Sequence, residues 1–155
     1  DRIVKLIKSR IDIIKYNYTE NQLVVNIPEN KNILNSDVQD FIFNAIEKTY
    51  RLEAKAYLPD RVEELAKTYG LFYKKVKINN ARTRWGSCSS ENNINLSLQL
   101  MRLPYYLIDY VILHELAHTK VKNHSIRFWQ FLNSITDNKA KNLDKELKSF
   151  YLQVF

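Results

Sequence analysis

Apolar and polar residues alternate along two short segments near the start of the chain, residues 11–18 and 23–27. Alternation with a period of two is typical of β-strands that bury one face. The residues between the two segments, 19–22, are polar and turn-prone, and Pro28 follows the second segment. The pattern therefore predicts an N-terminal β-hairpin within residues 1–30.

Helical periodicity replaces this alternation over residues 36–70. Ser36, with a glutamine three residues later, forms a capping box, and apolar residues then recur at three- and four-residue steps to about Tyr57. Pro59 and Gly70 stand where the first turn and the end of another helix are expected. We therefore expect two helices in this region, separated at the proline.

Strand-like alternation returns over residues 73–101, in the segments 73–78, 83–89 and 94–100. A polar turn over residues 90–93 separates the last two segments. We expect these strands to form a small, mostly antiparallel sheet.

The pattern is helical again over residues 104–155. The first of three predicted helices begins at the proline of this segment and runs to about Thr119, and the others cover residues 125–135 and 140–154. Blocks of strands and blocks of helices in turn are typical of the α+β class. Because only 2 glycines and 3 prolines are present, no flexible linker is indicated, and the chain is predicted to form a single domain over residues 1–155.

The composition is that of a globular protein, with 45% of the 155 residues hydrophobic. Apolar runs extend over only a few residues, far short of the about 20 that are needed to cross a bilayer. Cys88, the one cysteine, cannot form an internal disulfide, and the first residues do not resemble an export signal. We therefore expect a cytoplasmic protein that does not enter the membrane.

The charge balance favours anionic partners without specifying one. Lysine and arginine number 24 against 17 acidic residues, which gives a formal net charge of +7. The excess is spread along the chain rather than gathered into a basic run, which is more typical of a solvated surface than of a nucleic-acid site. Nucleic acid stays open as a partner.

The three histidines of the chain lie close together, in His114-Glu115-Leu116-Ala117-His118 and at His124. Residues four apart on a helix share a face, so the imidazoles of His114 and His118 can converge on one ion. Glu115 projects to the side, where a general base for a metal-activated water is needed. The spacing predicts a catalytic site with one zinc ion.

His124 can join this site only if the helix ends before it. On a continuous helix, its imidazole would point away from that of His118. The polar residues 119–123 favour a break near Lys120, and Ser125 is placed to cap the next helix. Three protein ligands leave one coordination position for water, as in catalytic rather than structural zinc sites.

Two segments carry motifs beyond the histidine spacing. The first is Arg84-Trp85-Gly86-Ser87-Cys88-Ser89-Ser90, followed by Asn93-Ile94-Asn95-Leu96, and the second runs from Ile108 through the histidines to Asn123-His124-Ser125 and Phe128-Trp129. Both segments resemble the YgjP-like metallopeptidases and, more distantly, the SprT and Spartan proteases. The resemblance implies a zincin-like fold in which the motif helix packs against the sheet. It also implies that His114, His118 and His124 hold zinc and that Glu115 is the catalytic base.

The same resemblance implies a peptide or protein substrate. In such enzymes an extended substrate pairs with an edge strand near the metal, and pairing of this kind reads the main chain rather than the side chains. The strand over residues 83–89, or its partner beginning at Ile94, is the candidate.

Several further residues are candidates for contacts with substrate. Tyr110 stands one helical turn before His114, and Arg82 and Arg84 lie just before and at the start of the strand predicted over residues 83–89, so each could approach a reacting carbonyl or oxyanion. For both arginines, exposed strand charges are the simpler interpretation. Gly86 indicates either the close approach of another backbone or a plain bend of the sheet.

Three aromatic residues and the cysteine are interpreted as parts of the core. Phe128 follows helical spacing, and Trp85 and Trp129 are treated in the same way. Cys88 is interpreted as a small buried hydrophobe rather than a metal ligand.

The leading hypothesis is a zinc metallopeptidase in which Glu115 deprotonates a zinc-activated water. An alternative is a metal-dependent phosphohydrolase acting on a nucleotide, for which Arg82 or Arg84 would be useful. The chain lacks a glycine-rich phosphate loop, however, and phosphate chemistry more often uses magnesium. A third hypothesis, motivated by the net charge, is a nucleic-acid-associated, SprT-like protease module.

Overall fold

The computed structural model describes residues 3–19 and 22–150. The chain divides into two compact units, Asp1–Leu52 and Glu53–Phe155. The single domain over the whole chain stays a prediction. No helix in the described ranges is both long and apolar enough to cross a membrane.

The first unit contains a sheet of three strands, β1 (Ile3–Ser9), β2 (Lys15–Thr19) and β3 (Gln22–Pro28). β3 is the central strand, with β2 antiparallel to it on one side and β1 parallel to it on the other. This sheet is therefore mixed.

The predicted hairpin is present as β2 and β3. Its first strand begins at Lys15 rather than at residue 11, and two residues of its predicted turn, Glu20 and Asn21, lie outside the described ranges. The sequence pattern does not predict β1, because its apolar residues come in the adjacent pairs Ile3-Val4 and Leu6-Ile7 rather than in alternation.

The core of the first unit joins one face of β3 to the first part of helix α1 (Ser36–Thr68). Leu23, Val25 and Ile27 alternate along β3 and are at most 3% exposed. Six partly buried side chains pack around this core: Ile14, Tyr18, Ile33, Phe41, Ile42 and Ile46. The alternation that predicts β3 is thus the pattern that builds this core.

α1 is one continuous helix, which corrects the prediction of two helices separated at Pro59. A proline inside a helix removes a backbone hydrogen bond and costs about 3 kcal/mol. On either side of it, Leu58 and Val62 are fully buried, and burying one such side chain contributes about 1.5–3 kcal/mol. Packing on this face therefore outweighs the local penalty. Gly70 follows the end of the helix with a φ of 62°, as predicted for a C-terminal glycine.

The second unit contains another mixed sheet, made of β4 (Lys75–Asn79), β5 (Gly86–Cys88) and β6 (Asn93–Ser97). The strand order is β4-β6-β5, with β4 parallel and β5 antiparallel to β6. The prediction of a mostly antiparallel sheet is therefore wrong. Alternation along a strand fixes which side chains share a face but not the direction of the neighbouring strand.

The predicted strand over residues 94–100 ends early, because Ser97 starts a 3-10 helix over Leu98–Arg102. The Ser97 hydroxyl accepts a hydrogen bond from the backbone N–H of Gln99 at 3.2 Å and donates one to the carbonyl of Ala81 at 2.6 Å. The side chain of Ser97 thus stabilises the start of the 3-10 helix, and the strand ends there because the backbone that follows is held in the helix.

Three helices follow, α2 (Tyr105–Ala117), α3 (Ile126–Ser134) and α4 (Ala140–Ser149). α2 contacts β5, β6, α3 and α4, and its apolar positions are buried on most of its circumference. Asp109 of α2 accepts two hydrogen bonds of 2.7 Å from Nε and Nη2 of Arg61. This paired geometry fixes α2 against the second half of α1.

Candidate active site

The imidazole rings of the three histidines converge beyond the end of α2. Nε2 of His124 lies 3.0 Å from Nε2 of His114 and 3.1 Å from Nε2 of His118. The potential ligand atoms of the three side chains all lie within 4.8 Å of one another. The structure thus brings together the three residues that the sequence selects.

The chain reverses direction after α2, and this reversal brings the three histidines together. His114 and His118 are one helical turn apart, and the helix ends at Ala117, close to the predicted break. The backbone N–H of Lys120 then donates to the carbonyl of Ala117 at 3.0 Å. This tight turn reverses the chain, so that His124 returns to the two histidines of the helix.

His118 is held in a defined tautomer. Its Nδ1 lies 3.0 Å from the carbonyl oxygen of Val121, which can only accept a hydrogen bond. Nδ1 therefore carries the proton, and Nε2 has a free lone pair on the side that faces His124. Backbone carbonyls commonly orient metal-binding imidazoles in this way.

Burial keeps two of the three rings neutral. Burial, followed by the neighbouring imidazoles, lowers the pKa of His114 to about 4. Burial also lowers the pKa of His118. Metal ligation requires the neutral form of imidazole, so both rings are in the state that a metal ion needs near pH 7.

The cluster fits a metal ion better than a hydrogen-bonded network. Nε2 of His124 is close to Nε2 of both other histidines, and each of these two contacts would need a proton between the nitrogens. Nε2 of His118 has none, because its proton is on Nδ1, so a single proton on His124 would have to serve both contacts. Two nitrogens bound at about 2.0–2.1 Å to one tetrahedral zinc ion are about 3.3 Å apart. The observed separations of 3.0 and 3.1 Å are close to this value. The donor set therefore fits a divalent cation between the rings.

Phe128, in the first turn of α3, lies against all three imidazoles. Its ring centroid is 5.0 Å from that of His114, 4.9 Å from that of His124, and 4.4 Å from that of His118, on which it stacks. Phe128 is fully buried, so its interpretation as a core residue is confirmed. Sequence reasoning missed its role as a platform for the rings, although its position one helical turn after His124 could have indicated it.

Glu115 lies beside the histidines and is only 7% exposed. Burial raises the pKa of its carboxyl to about 7, and the charge of Arg84 opposes this shift. On β5, Gly86 comes so close that a Cβ there would lie 2.8 Å from Cγ and 3.0 Å from Oε1 of Glu115. The neighbour of Gly86 is thus a side chain, whereas the sequence suggested the approach of another backbone or a plain bend of the sheet.

Substituting alanine for Gly86 is expected to lower by about a hundredfold any rate that depends on Glu115, while the three histidines and their capacity to bind a metal ion are unchanged. The added methyl group must displace the Glu115 side chain, and a displacement of about 1 Å at a reacting group can cost 10²-fold in rate. Steady-state kinetics and metal analysis of Gly86→Ala would measure both effects. Ser90→Ala, on the exposed turn after β5, is the matched control. Wild-type kcat in Gly86→Ala would contradict the predicted role of this close approach.

A cavity of about 280 Å³ adjoins His114 and Glu115. It is bounded by β5 and the residues before it, by α2, and by α4. Its apolar lining consists of Trp85, Val111, Leu147 and Phe150, and its polar lining includes Arg84, Tyr110, Asp144 and Lys148. The cavity therefore places space for a substrate directly beside the candidate base.

Tyr110 contributes a buried hydroxyl to this cavity. It is 1% exposed, and its hydroxyl makes no direct hydrogen bond within the described part of the chain, although the carboxylate of Asp144 is close enough to interact with it. Burial, reinforced by the nearby carboxylate of Asp144, raises the pKa of its phenol. The hydroxyl therefore stays protonated near pH 7 and can act as a hydrogen-bond donor.

The remaining candidate residues lie in different surroundings. Arg84 lines the cavity and acts electrostatically on Glu115, whereas the exposed Arg82 is not among the lining residues. Cys88 is half-buried, and burial raises the pKa of its thiol. Its Sγ faces Nζ of Lys122 at 3.7 Å, a contact that the sequence does not indicate.

Comparison with protein families identifies the class of enzyme. The family model described as YgjP-like, metallopeptidase domain matches residues 7–150 of this chain. The chain belongs to the YgjP-like metallopeptidases. Membership in this family agrees with the metal-binding geometry of the three histidines. A search of curated proteins finds no significant match.

Two solved structures share the fold of part of this YgjP-like chain. The crystal structure of the metallopeptidase zymogen of Pyrococcus abyssi, abylysin, is 23% identical with a TM-score of 0.52, and the alignment covers 58% of this chain and 90% of that chain. The metallopeptidase zymogen of Methanocaldococcus jannaschii, jannalysin, is 24% identical with a TM-score of 0.50, and the alignment covers 58% of this chain and 92% of that chain. These similarities concern the fold.

Proposed function

We propose that the protein hydrolyses peptide bonds with one zinc ion held by His114, His118 and His124 and with Glu115 as the general base. The observation that carries this proposal is a buried carboxylate beside three imidazoles whose ligand atoms converge within 4.8 Å. Three protein nitrogens leave a coordination position open, as in catalytic zinc sites. When bound, zinc supplies Lewis-acid chemistry, which polarises a peptide carbonyl and makes water a stronger nucleophile.

Glu115 carries out the proton transfers of the proposed reaction. One carboxylate oxygen accepts a proton from the attacking water, and the carboxyl then donates this proton to the nitrogen of the leaving amine. Burial raises the pKa of this carboxyl, which favours the protonated form that the second step needs. Its buried position limits exchange of the proton with bulk water.

The strand order supports β5 as the strand that pairs with substrate. Of the two candidates, β6 has a neighbour on each side, whereas β5 is at the end of the sheet among the described strands. The outward-facing edge of β5 is therefore the one open to an additional extended chain. Gly86 begins this strand and adjoins Glu115, so a peptide paired there would run past the base.

The cavity supports a preference for an apolar side chain next to the cleaved bond. Its apolar wall lies beside His114 and Glu115 and includes Trp85, Val111 and Leu147. Pairing through the main chain tolerates many sequences, so this cavity is where the proposed enzyme would distinguish one substrate from another.

Tyr110 is proposed to donate a hydrogen bond to the oxygen of the reacting carbonyl. Its hydroxyl is buried in the cavity and makes no direct hydrogen bond to the described residues, and its ring lies 6.1 Å from that of His114. A donor that is already oriented and dehydrated stabilises the negative charge that develops on this oxygen in the transition state.

Substituting phenylalanine for Tyr110 is expected to lower kcat by about 10²-fold, the usual cost of losing an oxyanion donor, with KM little changed. The buried ring is retained and a buried hydroxyl without a direct hydrogen bond is removed, so the thermal unfolding temperature should change little. Tyr106→Phe is the matched control, because Tyr106 lies on the same helix but its hydroxyl donates to Glu146 at the surface. Equal kcat values for the two variants would contradict the proposed role.

The proposed function is tested with the full chain. Its zinc content is measured, and hydrolysis of casein and of a peptide library is compared with hydrolysis of nucleoside triphosphates under identical metal conditions. We expect peptide cleavage that chelation abolishes and zinc restores. Hydrolysis of nucleotides alone would support the phosphohydrolase hypothesis, and peptide cleavage that survives chelation would contradict the role of the metal.

A further inference from the structure

The loop between α2 and α3 carries His124, the one histidine of the cluster that is exposed and outside α2. Two hydrogen bonds give this loop a local shape: the N–H of Val121 donates to the carbonyl of Ala117 at the end of α2 at 3.0 Å, and the N–H of Ser125 donates to Oδ1 of Asn123 at 3.3 Å. Bonds of this kind bend the loop, but they do not fix its position against the sheet.

Lys122, two residues before His124, connects the loop to the sheet. Its Nζ donates to the carbonyl of Ser89 at 2.8 Å and to Oδ1 of Asn92 at 2.5 Å, and it lies 3.7 Å from Sγ of Cys88. An ammonium group has three protons, and here each can be directed at a different acceptor. The acceptors all belong to the end of β5 and to the turn that leads into β6.

The turn between β5 and β6 is held in one shape by its own hydrogen bonds. The N–H of Ser89 donates to Asn93 at 2.9 Å and that of Asn92 donates to Ser89 at 3.0 Å, while the hydroxyl of Ser89 accepts from the N–H of Asn93 at 3.1 Å. Asn92 has a φ of 63°, a conformation that asparagine tolerates better than most residues. Lys122 thus binds a turn whose shape is determined by its own hydrogen bonds.

We infer that Lys122 is a positioning residue for the metal centre. Its side chain ties the loop that carries His124 to β5, the strand beside the proposed base Glu115. The inference rests on the proposed function, because it takes His124 as a zinc ligand. β5 contains Gly86, the neighbour of Glu115, and ends at Cys88, beside which Lys122 is anchored. In addition to the packing of α2 on β5, one side chain therefore joins the loop that holds His124 directly to the strand proposed to receive the substrate.

The inference is tested by the rate at which the full chain releases zinc to a chromogenic chelator. Lys122→Met keeps the length of the side chain but removes its donors. Because Lys122 acts on His124 only through the loop, we expect zinc release to be about tenfold faster, the low end of the loss of metal affinity seen when a ligand loses its outer partner. Lys122→Arg keeps the charge and the donors, and it should release zinc at a rate close to that of the wild type. Lys120→Met, on the same loop and also exposed, is the matched control.

Asn92→Gly tests the contact from the other side. Glycine adopts the positive φ of the turn without strain, so this variant removes the Oδ1 acceptor while preserving the backbone. Zinc release should be faster than in the wild type, and adding Asn92→Gly to Lys122→Met should produce no further acceleration. Circular dichroism of the metal-free variants checks that each is folded. If Lys122→Met is unfolded, the rate of zinc release from Asn92→Gly tests the inference instead.

Equal release rates for Lys122→Met and Lys120→Met, or independent effects of Lys122→Met and Asn92→Gly, would overturn the inference. A wild-type chain that binds no zinc would instead overturn the proposed function. The two failures are therefore distinguishable in one set of measurements.

Discussion

Glu115→Gln is expected to lower kcat for peptide hydrolysis by about 10²–10⁴-fold, the range that general acid–base catalysis contributes, while the protein keeps its zinc. Glutamine has nearly the shape of glutamate but cannot accept the proton of the attacking water. The histidine cluster does not include this side chain, so the metal should be held as in the wild type.

The control for this variant is Glu63→Gln, which changes a carboxylate on the surface of α1 that pairs with Lys67. Steady-state kinetics and zinc content would be measured for both variants. Because burial disfavours the ionised form of Glu115, the neutral amide should leave thermal stability equal or higher. Substantial turnover by Glu115→Gln would show that another group is the base.

His124→Ala is expected to weaken zinc binding by more than about 100-fold, beyond the 10–100-fold that is typical when only an outer partner of a ligand is lost. The variant removes one of three converging nitrogens but leaves α2 intact, because His124 is exposed and lies on the following loop. Activity should disappear together with the metal.

Competition titrations with a zinc chelator measure this affinity directly. Arg127→Ala, an exposed change in the first turn of α3, controls for disturbance near the loop. Stoichiometric zinc in His124→Ala with the affinity of the wild type would show that His124 is not a ligand.

The histidine geometry could be predicted from the sequence because it depends on local rules. His114 and His118 are placed by helical spacing alone, and the polar residues after His118 indicate where α2 ends. The hairpin of β2 and β3 and the helices α2 to α4 follow from periodicity for the same reason, since burial of one face imposes the pattern.

Features that depend on distant partners could not be predicted in this way. Pro59 predicts a break, and only the buried side chains on either side of it explain why α1 continues. The parallel pairing of β4 with β6 leaves no trace in the alternation of either strand. Lys122 looks like an ordinary surface lysine until the fold brings the turn after β5 next to it.

The surroundings of Gly86 and Phe128 also depend on distant partners. The motif selects Gly86 but cannot show that Glu115 fills the space in front of it. Phe128 has the helical spacing of a core residue, and that it supports three imidazoles depends on how α3 packs against α2.

The shortness of β5 has a consequence for the substrates of the proposed enzyme. Three residues of a strand span only about 10 Å, so two or three residues of a bound peptide can form ladder hydrogen bonds with it. A segment must already be extended and free of its own secondary structure to pair there. The proposed enzyme should therefore cleave unfolded chains and loose termini, and a tightly folded protein should resist it until local unfolding releases such a segment.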